Sequence, residues 1–138
     1  MNTISRVAML TATLTIGLGG LAACGSNDDG DSGSDEGKTI ALLLPETKTT
    51  RYESFDKPLF EAKVKELCDS CKVDYLNADQ DASKQQQQAQ SAITNGASVL
   101  VLDPVDGKAA TTIVKSAQSS DVPVVAYDRF IEGADYYI

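Results

Sequence analysis

The chain has 138 residues, a formal net charge of -8, no His and no Trp. That acidic balance, without a basic cluster, argues against nucleic-acid binding, and the missing His removes imidazole acid–base chemistry and His-based zinc sites. Once a leader and a polar spacer are set aside, about 100 residues remain, enough for one small domain with a marginal core.

Residues 1–23 have the parts of a secretory leader. Arg6 supplies the positive start, and Val7 to Leu21 form an apolar run broken by Thr and by Gly17, Gly19 and Gly20. The run falls short of the ~20 apolar residues of a membrane-spanning helix. Leu21-Ala22-Ala23-Cys24 follows, and a small-residue site ending in Cys resembles the lipobox of bacterial lipoproteins. The resemblance implies cleavage before Cys24, acylation of its thiol and a protein tethered to the outer face of the cell membrane. The alternative is an ordinary leader cleaved nearby, with Cys24 incidental. Such a tether suits a cell with no closed periplasm, such as a Gram-positive bacterium. Loss of Arg6 with the leader takes the net charge from -8 to -9. Residues 24–37 then form a spacer in which Gly25 to Gly37 reads GSNDDGDSGSDEG, without one apolar residue. It cannot bury a core and its carboxylates repel one another, so it reads as a disordered acidic linker. It does not read as a metal site, because nothing fixes the geometry of those carboxylates.

The domain is expected over residues 38–138. Thr39 to Leu44 (TIALLL) is a continuous apolar run ending at Pro45, suited to a parallel strand buried on both faces. A polar loop from Glu46 to Tyr52 follows. Helical spacing then links Phe55, Leu59, Ala62 and Leu67, with Phe60 and Val64 beside them, and Ser54 or Asp56 as the cap. Lys72 to Leu76 alternates and predicts a second strand. A second helix is expected over Ala82 to Asn95, capped by Asp81 or Ser83 and ended by Gly96, with Ala89, Ala92 and Ile93 inward. Its run from Gln85 to Gln88 is expected to form a solvated face. Ser98 to Leu102 predicts a third strand closed by Asp103-Pro104. Lys108 to Ser119 predicts a third helix with Ala110, Ile113, Val114 and Ala117 inward. Val122 to Ala126 predicts a fourth strand, and Tyr136 to Ile138 the opening of a fifth.

Strand–helix alternation of this regularity predicts an α/β fold, a parallel sheet built from right-handed βαβ units. Ligands in such sheets sit beyond the carboxyl ends of the strands, near the switch in strand order. That rule selects the loops Pro45 to Tyr52, Asp103 to Gly107 and Tyr127 to Ile131. Cys68-Asp69-Ser70-Cys71 lies away from them. In an exported protein the pair is expected to form a local disulfide. A thioredoxin-like redox motif would sit at a helix N-terminus, whereas this one closes a predicted helix and precedes a strand.

The three loops hold Arg51, Tyr52, Asp103, Asp106, Asp128 and Arg129. A carboxylate accepts from adjacent sugar hydroxyls, a guanidinium donates two parallel hydrogen bonds, and an aromatic ring covers the apolar face of a pyranose. None of this needs a nucleophile, a metal or a cofactor, and G-x-S-x-G, Walker A and G-x-G-x-x-G motifs are absent from the sequence. No enzymatic activity is expected.

Arg51-Tyr52 after PETKTT, Asp103-Pro104-Val105-Asp106-Gly107 after a strand, and Ala126-Tyr127-Asp128-Arg129-Phe130-Ile131 resemble the type I periplasmic sugar-binding proteins, in their xylose-binding and multiple-sugar-binding branch. The resemblance covers Lys38 to Ile138. It implies that Arg51, Asp128 and Arg129 hydrogen-bond a monosaccharide, with Tyr52 as an aromatic at the cleft mouth. It leaves Asp103 and Asp106 as further cleft-loop candidates. It also implies delivery of a xylose-like or related sugar to the permease of an ABC importer. That family clamps its sugar between two lobes. Against that pattern the chain is expected to be a fragment, the partial N-terminal lobe of a type I periplasmic-binding-protein fold, unable to bind alone. The alternatives are an extracellular sugar sensor coupled to a membrane kinase or chemoreceptor, and a thiol oxidoreductase using Cys68 and Cys71.

Overall fold

A computed structural model describes residues 37–138. The leader, Cys24 and nearly all of the 24–37 spacer lie outside the described residues. The described part is a five-stranded sheet in the order β2-β1-β3-β4-β5, with every neighbouring pair parallel. The strands are β1 (Thr39–Leu44), β2 (Lys72–Asn77), β3 (Val99–Leu102), β4 (Val124–Ala126) and β5 (Tyr136–Tyr137). The helices are α1 (Lys57–Leu67), α2 (Ala82–Thr94) and α3 (Thr111–Gln118). A π-helical turn, Tyr52–Asp56, precedes α1. The order places β1 beside β3, so strand order reverses between those two strands, and a crevice opens beyond their carboxyl ends.

The two faces of the sheet are filled unequally. Ala41, Leu43, Leu100, Leu102, Val124 and Ala126 point to one face and pack against Ala89 and Ala92 of α2 and Ile113, Val114 and Ala117 of α3. Leu42, Leu44 and Val101 alternate to the other face, where Tyr52 and Phe60 meet them. The inward residues expected of α3 are those found, although the α-helix itself begins at Thr111 rather than Lys108. The preceding turn belongs to Asp106, whose Oδ1 accepts from the Ala109 N–H at 2.8 Å.

α2 starts and stops where its punctuation says. The Asp81 carboxylate accepts from the N–H groups of Ser83 (2.8 Å) and Lys84 (3.0 Å), satisfying two donors of the first turn. Gly96 takes the left-handed conformation, φ +84°, that releases the chain into β3.

Two expectations about the helices are corrected. Phe55, Leu59 and Leu67 do not face the core; they are 58%, 66% and 74% exposed, and the sheet-facing residue is Phe60. The wide turn carries its bond from Lys57 N–H back to the Tyr52 carbonyl, which shifts the helical phase before α1 begins. Nor does a Ser54 or Asp56 side chain cap α1, because the π turn already supplies the backbone partners there. The Gln85–Gln88 run is not wholly a solvated face either. Gln85 is buried at 1% exposure, and Gln88 donates to the Asn77 carbonyl at 2.7 Å.

Candidate functional site

Three loops leave the carboxyl ends of β1, β3 and β4 and converge on one edge of the sheet. Each is held by its own local device. After β1, the buried Glu46 carboxylate accepts from the N–H of Thr49 at 3.1 Å, and from the Lys48 N–H and the Thr49 hydroxyl. The Thr49 hydroxyl is the main cause that holds the Glu46 carboxyl below the usual carboxylate range. This knot turns the chain so that Arg51 and Tyr52 begin the π turn beside β3. After β3, Gln85 reaches across from α2. Its Nε2 donates to the Asp103 carbonyl at 2.8 Å and its Oε1 accepts from the Val105 N–H at 2.9 Å. After β4, Asp128 adopts φ +62°, a left-handed conformation that Asp tolerates better than most side chains. Its N–H donates to the Ile138 carbonyl at 3.0 Å, and Tyr137 Oη donates to its carbonyl at 3.2 Å.

These devices bring Arg51, Tyr52, Asp103, Asp128 and Arg129 into one network. The Arg51 guanidinium grips Asp128 through both Nη atoms, at 2.8 Å and 3.3 Å, and its Nε donates to Asp56 at 2.9 Å. The pairing with Asp128 drives the Arg51 guanidinium further into its charged form. Arg129 Nη1 donates to the Pro104 carbonyl at 2.8 Å and Nη2 to the Tyr52 hydroxyl at 3.1 Å. Arg129 Nε lies 3.6 Å from Asp103 Oδ1. Burial pushes the Tyr52 hydroxyl up to about 12, so it stays neutral in this network.

Not every expected residue takes the expected place. Tyr52 does not lie open at the cleft mouth. It is 3% exposed and packs with Leu42, Leu44 and Val101, because its ring closes the apolar end of the β1–β3 face. Only its hydroxyl serves the edge, as a support for Arg129. The exposed aromatic side chains on this edge are Phe130 and Tyr137, which meet edge-to-face at 5.7 Å. Asp106 is outside the network, exposed and engaged as the cap described above. Asp103 is deeper than a cleft-loop residue, at 0% exposure. Glu46, Asp56 and Gln85 carry supporting roles that the sequence does not signal, since each depends on a partner distant in the fold or on loop geometry.

A shallow crevice at this edge is bounded by Pro45, Glu46, Gln80, Val105 and Arg129. A more apolar hollow lies elsewhere, on the sheet face between Leu42, Leu59, Phe60, Val101 and Tyr127. The charged edge has donors and acceptors in fixed directions, which suits a polyhydroxylated ligand. It offers no paired nucleophile and base.

Cys68 and Cys71 form a disulfide with Cα atoms 5.3 Å apart. Cys68 is the residue that ends α1, and its N–H donates to the Val64 carbonyl at 2.8 Å. The pair therefore sits at the negative end of a helix, which does not favour a thiolate. It also precedes β2, at the opposite edge of the sheet from the charged network.

Comparison with known proteins agrees with this geometry. Residues 40–138 match the family described as the periplasmic binding protein domain. The chain is similar to the D-xylose-binding periplasmic protein of Escherichia coli K12, with 31% identity over 101 residues, covering 72% of this chain and 30% of that protein. It is likewise 31% identical over 129 residues to the ribose import binding protein RbsB of Bacillus subtilis, covering 89% of this chain and 41% of that one. Among solved structures it resembles an ABC transporter solute binding protein from Clostridium phytofermentans with bound β-D-glucose. There the TM-score is 0.66 at 28% identity, over 72% of this chain and 31% of that chain. The chain thus spans between 30% and 41% of the length of these relatives. On fold, sheet edge and sequence together, the chain belongs to the periplasmic binding protein domain family, and its described residues form part of a type I lobe.

Proposed function

We propose that this chain recognises a monosaccharide at the carboxyl edge of its sheet, as part of a lipid-anchored protein that hands the sugar to an ABC importer. The observation that carries the reading is the convergence of Arg51, Asp128 and Arg129 from two separate loops onto one edge. Asp128 accepts from vicinal hydroxyls, while the outward N–H groups of Arg51 and Arg129 donate to them. Tyr52 contributes by holding Arg129. The relatives named for xylose and ribose make a pentose or a closely related sugar the first class to test.

The described residues form one wall of a cleft. A sugar on one wall keeps water on its other face, so each hydrogen bond gains little over solvent. Tight binding on this reading needs an opposing wall, and the lobe alone gives a weak contact. Residues 1–23 serve as the leader, Cys24 as the lipid attachment, and residues 24–37 as the acidic leash that lets the domain stand off the membrane. The domain occupies residues 38–138.

Titration of the ¹⁵N-labelled full chain with D-xylose, D-ribose and D-glucose tests the reading, since amide shifts register even millimolar affinity. Expected are saturable movements at residues 51–52 and 127–130, lost in Asp128→Asn. No saturable shift with any of the three sugars refutes it. In bacterial cells, the Cys24→Ser variant is expected to leave the membrane fraction; retention of that variant removes the lipid anchor from the proposal.

A further inference from the structure

Asp103 is fully buried, its carboxylate oxygens make no hydrogen bond of good geometry among the described residues, and the nearest uncharged donor that acts on them is the Tyr52 hydroxyl. Leaving a carboxylate in that state is costly. Ending β3 does not require it, since the turn is already set by backbone and by Gln85: the Asp103 N–H donates to the Leu43 carbonyl at 3.0 Å, and the Asp103 carbonyl accepts from Gln85 at 2.8 Å. The side chain therefore calls for another explanation, and Arg129 supplies it. Two nitrogens of that guanidinium are anchored on the Pro104 carbonyl and the Tyr52 hydroxyl. The third, Nε, faces Asp103 Oδ1 at 3.6 Å. The two anchors fix the tip of the fork; the buried charge acts on its inner edge and resists rotation of the plane. Arg129 is otherwise 47% exposed along its side chain, with nothing else to hold it there.

We propose that Asp103 is a positioning residue for Arg129, so that sugar affinity depends on the ionisation of a carboxylate the sugar never touches. This rests on the reading that Arg129 donates to the sugar. The groups that face Asp103 are Tyr52 and Arg51 from the π turn and its start, and Arg129 and Asp128 from the loop after β4. Burial pushes the Asp103 carboxyl up to about 6, while the Tyr52 hydroxyl and the Arg129 guanidinium draw it back down and Asp128 opposes them. The side chain is thus charged at neutral pH and loses its charge in mildly acidic surroundings, where an extracytoplasmic protein is not buffered by the cell. Protonation removes the attraction on Nε, frees the guanidinium plane and weakens the donor pair offered to the ligand.

The test uses the full isotope-labelled chain, with the Arg129 Nε–Hε resonance assigned through Arg129→Lys and the Asp103 side-chain carbon followed in parallel. Both are recorded from about pH 7.5 to about pH 4.5. Expected is a shared midpoint near 6 in the wild type and an Arg129 signal that does not titrate in Asp103→Asn. D-xylose, D-ribose and D-glucose are then titrated at both ends of the range. Wild-type affinity should fall about fivefold or more at the acidic end, whereas Asp103→Asn should be weak at both. An Arg129 signal that is pH-invariant in the wild type overturns the proposal, as does one that titrates alike in the variant. A titrating Arg129 in a chain that binds none of the sugars refutes the sugar reading and leaves the positioning role standing. Should Asp103→Asn fail to fold, the wild-type midpoints decide: coincident midpoints support the proposal and separated ones overturn it.

Discussion

Replacing Gln85 by Leu tests the internal support of the site most directly. Gln85 is 1% exposed, so the substitution keeps an apolar body of similar size in place and leaves little cavity. What is lost is a pair of hydrogen bonds, from Nε2 to the Asp103 carbonyl (2.8 Å) and from the Val105 N–H to Oε1 (2.9 Å). Both orphaned groups belong to the backbone of a turn packed under α2, and each unsatisfied buried group costs ~1–3 kcal/mol. The expected loss is therefore about 2–6 kcal/mol, a large share of the ~5–15 kcal/mol that holds a domain folded. Urea unfolding of the full chain, followed by far-ultraviolet circular dichroism, should show a lower midpoint at an unchanged denaturant slope. Gln86→Leu, on the exposed side of the same tract, should stay within ~0.5 kcal/mol of wild type. A Gln85→Leu variant as stable as Gln86→Leu would refute the reasoning, because the bridge would then be without energetic consequence.

Asp103→Asn should stabilise the fold above pH 6 and lose that advantage below pH 4. The wild-type carboxyl is raised to about 6 in the folded state, so its ionisation opposes folding, by at most about 3 kcal/mol. Melting wild type and variant at both pH values checks the sign; an advantage that is greatest in acid contradicts it. Asp81→Ala removes the acceptor for two first-turn N–H groups of α2 and should cost about 1 kcal/mol in the same unfolding experiment. Gly96→Ala places a Cβ into open space but at φ +84°, so the expected loss of about 1 kcal/mol is conformational rather than steric, and Gly96→Asn should recover part of it.

The legible features of the sequence were those whose cause is local. The TIALLL run needs both faces covered whatever covers them, and it is β1 of the sheet. Asp81 and Gly96 act on their own helix through backbone geometry alone, and both ends of α2 follow from them. The sheet rule points to the edge where Arg51, Asp103, Asp128 and Arg129 converge, because strand order and crossover hand are properties of the chain, not of particular side chains. Gln85 was illegible for the opposite reason. It stands in a run of four Gln residues, identical by composition, and only the approach of the β3 turn distinguishes it from Gln86 and Gln87. The phase of α1 failed in a similar way. Phe55, Leu59 and Ala62 repeat as an amphipathic face should, but a π turn ahead of them decides which side meets the sheet. Tyr52 combined both problems. An aromatic beside an Arg at a cleft edge reads as a stacking surface, whereas the fold uses its ring to close the core and keeps only the hydroxyl at the edge.

On the proposed reading, that division of labour keeps the edge ordered and still able to bind. A guanidinium has five N–H donors. Arg51 directs three of its nitrogens at Asp56 and Asp128, and Arg129 places two on Pro104 and Tyr52 with the third toward Asp103. Each terminal nitrogen carries two hydrogens and spends one of them on these contacts. Each guanidinium therefore keeps N–H groups free while its plane is already fixed. A ligand hydroxyl meets donors whose rotational entropy was lost on folding rather than on binding. On the proposal made for Asp103, its buried carboxylate, unfavourable for the fold, is where that preorganisation is maintained. Removing it should therefore move stability and affinity in opposite directions, and a variant that improved both would show that the edge does not work this way.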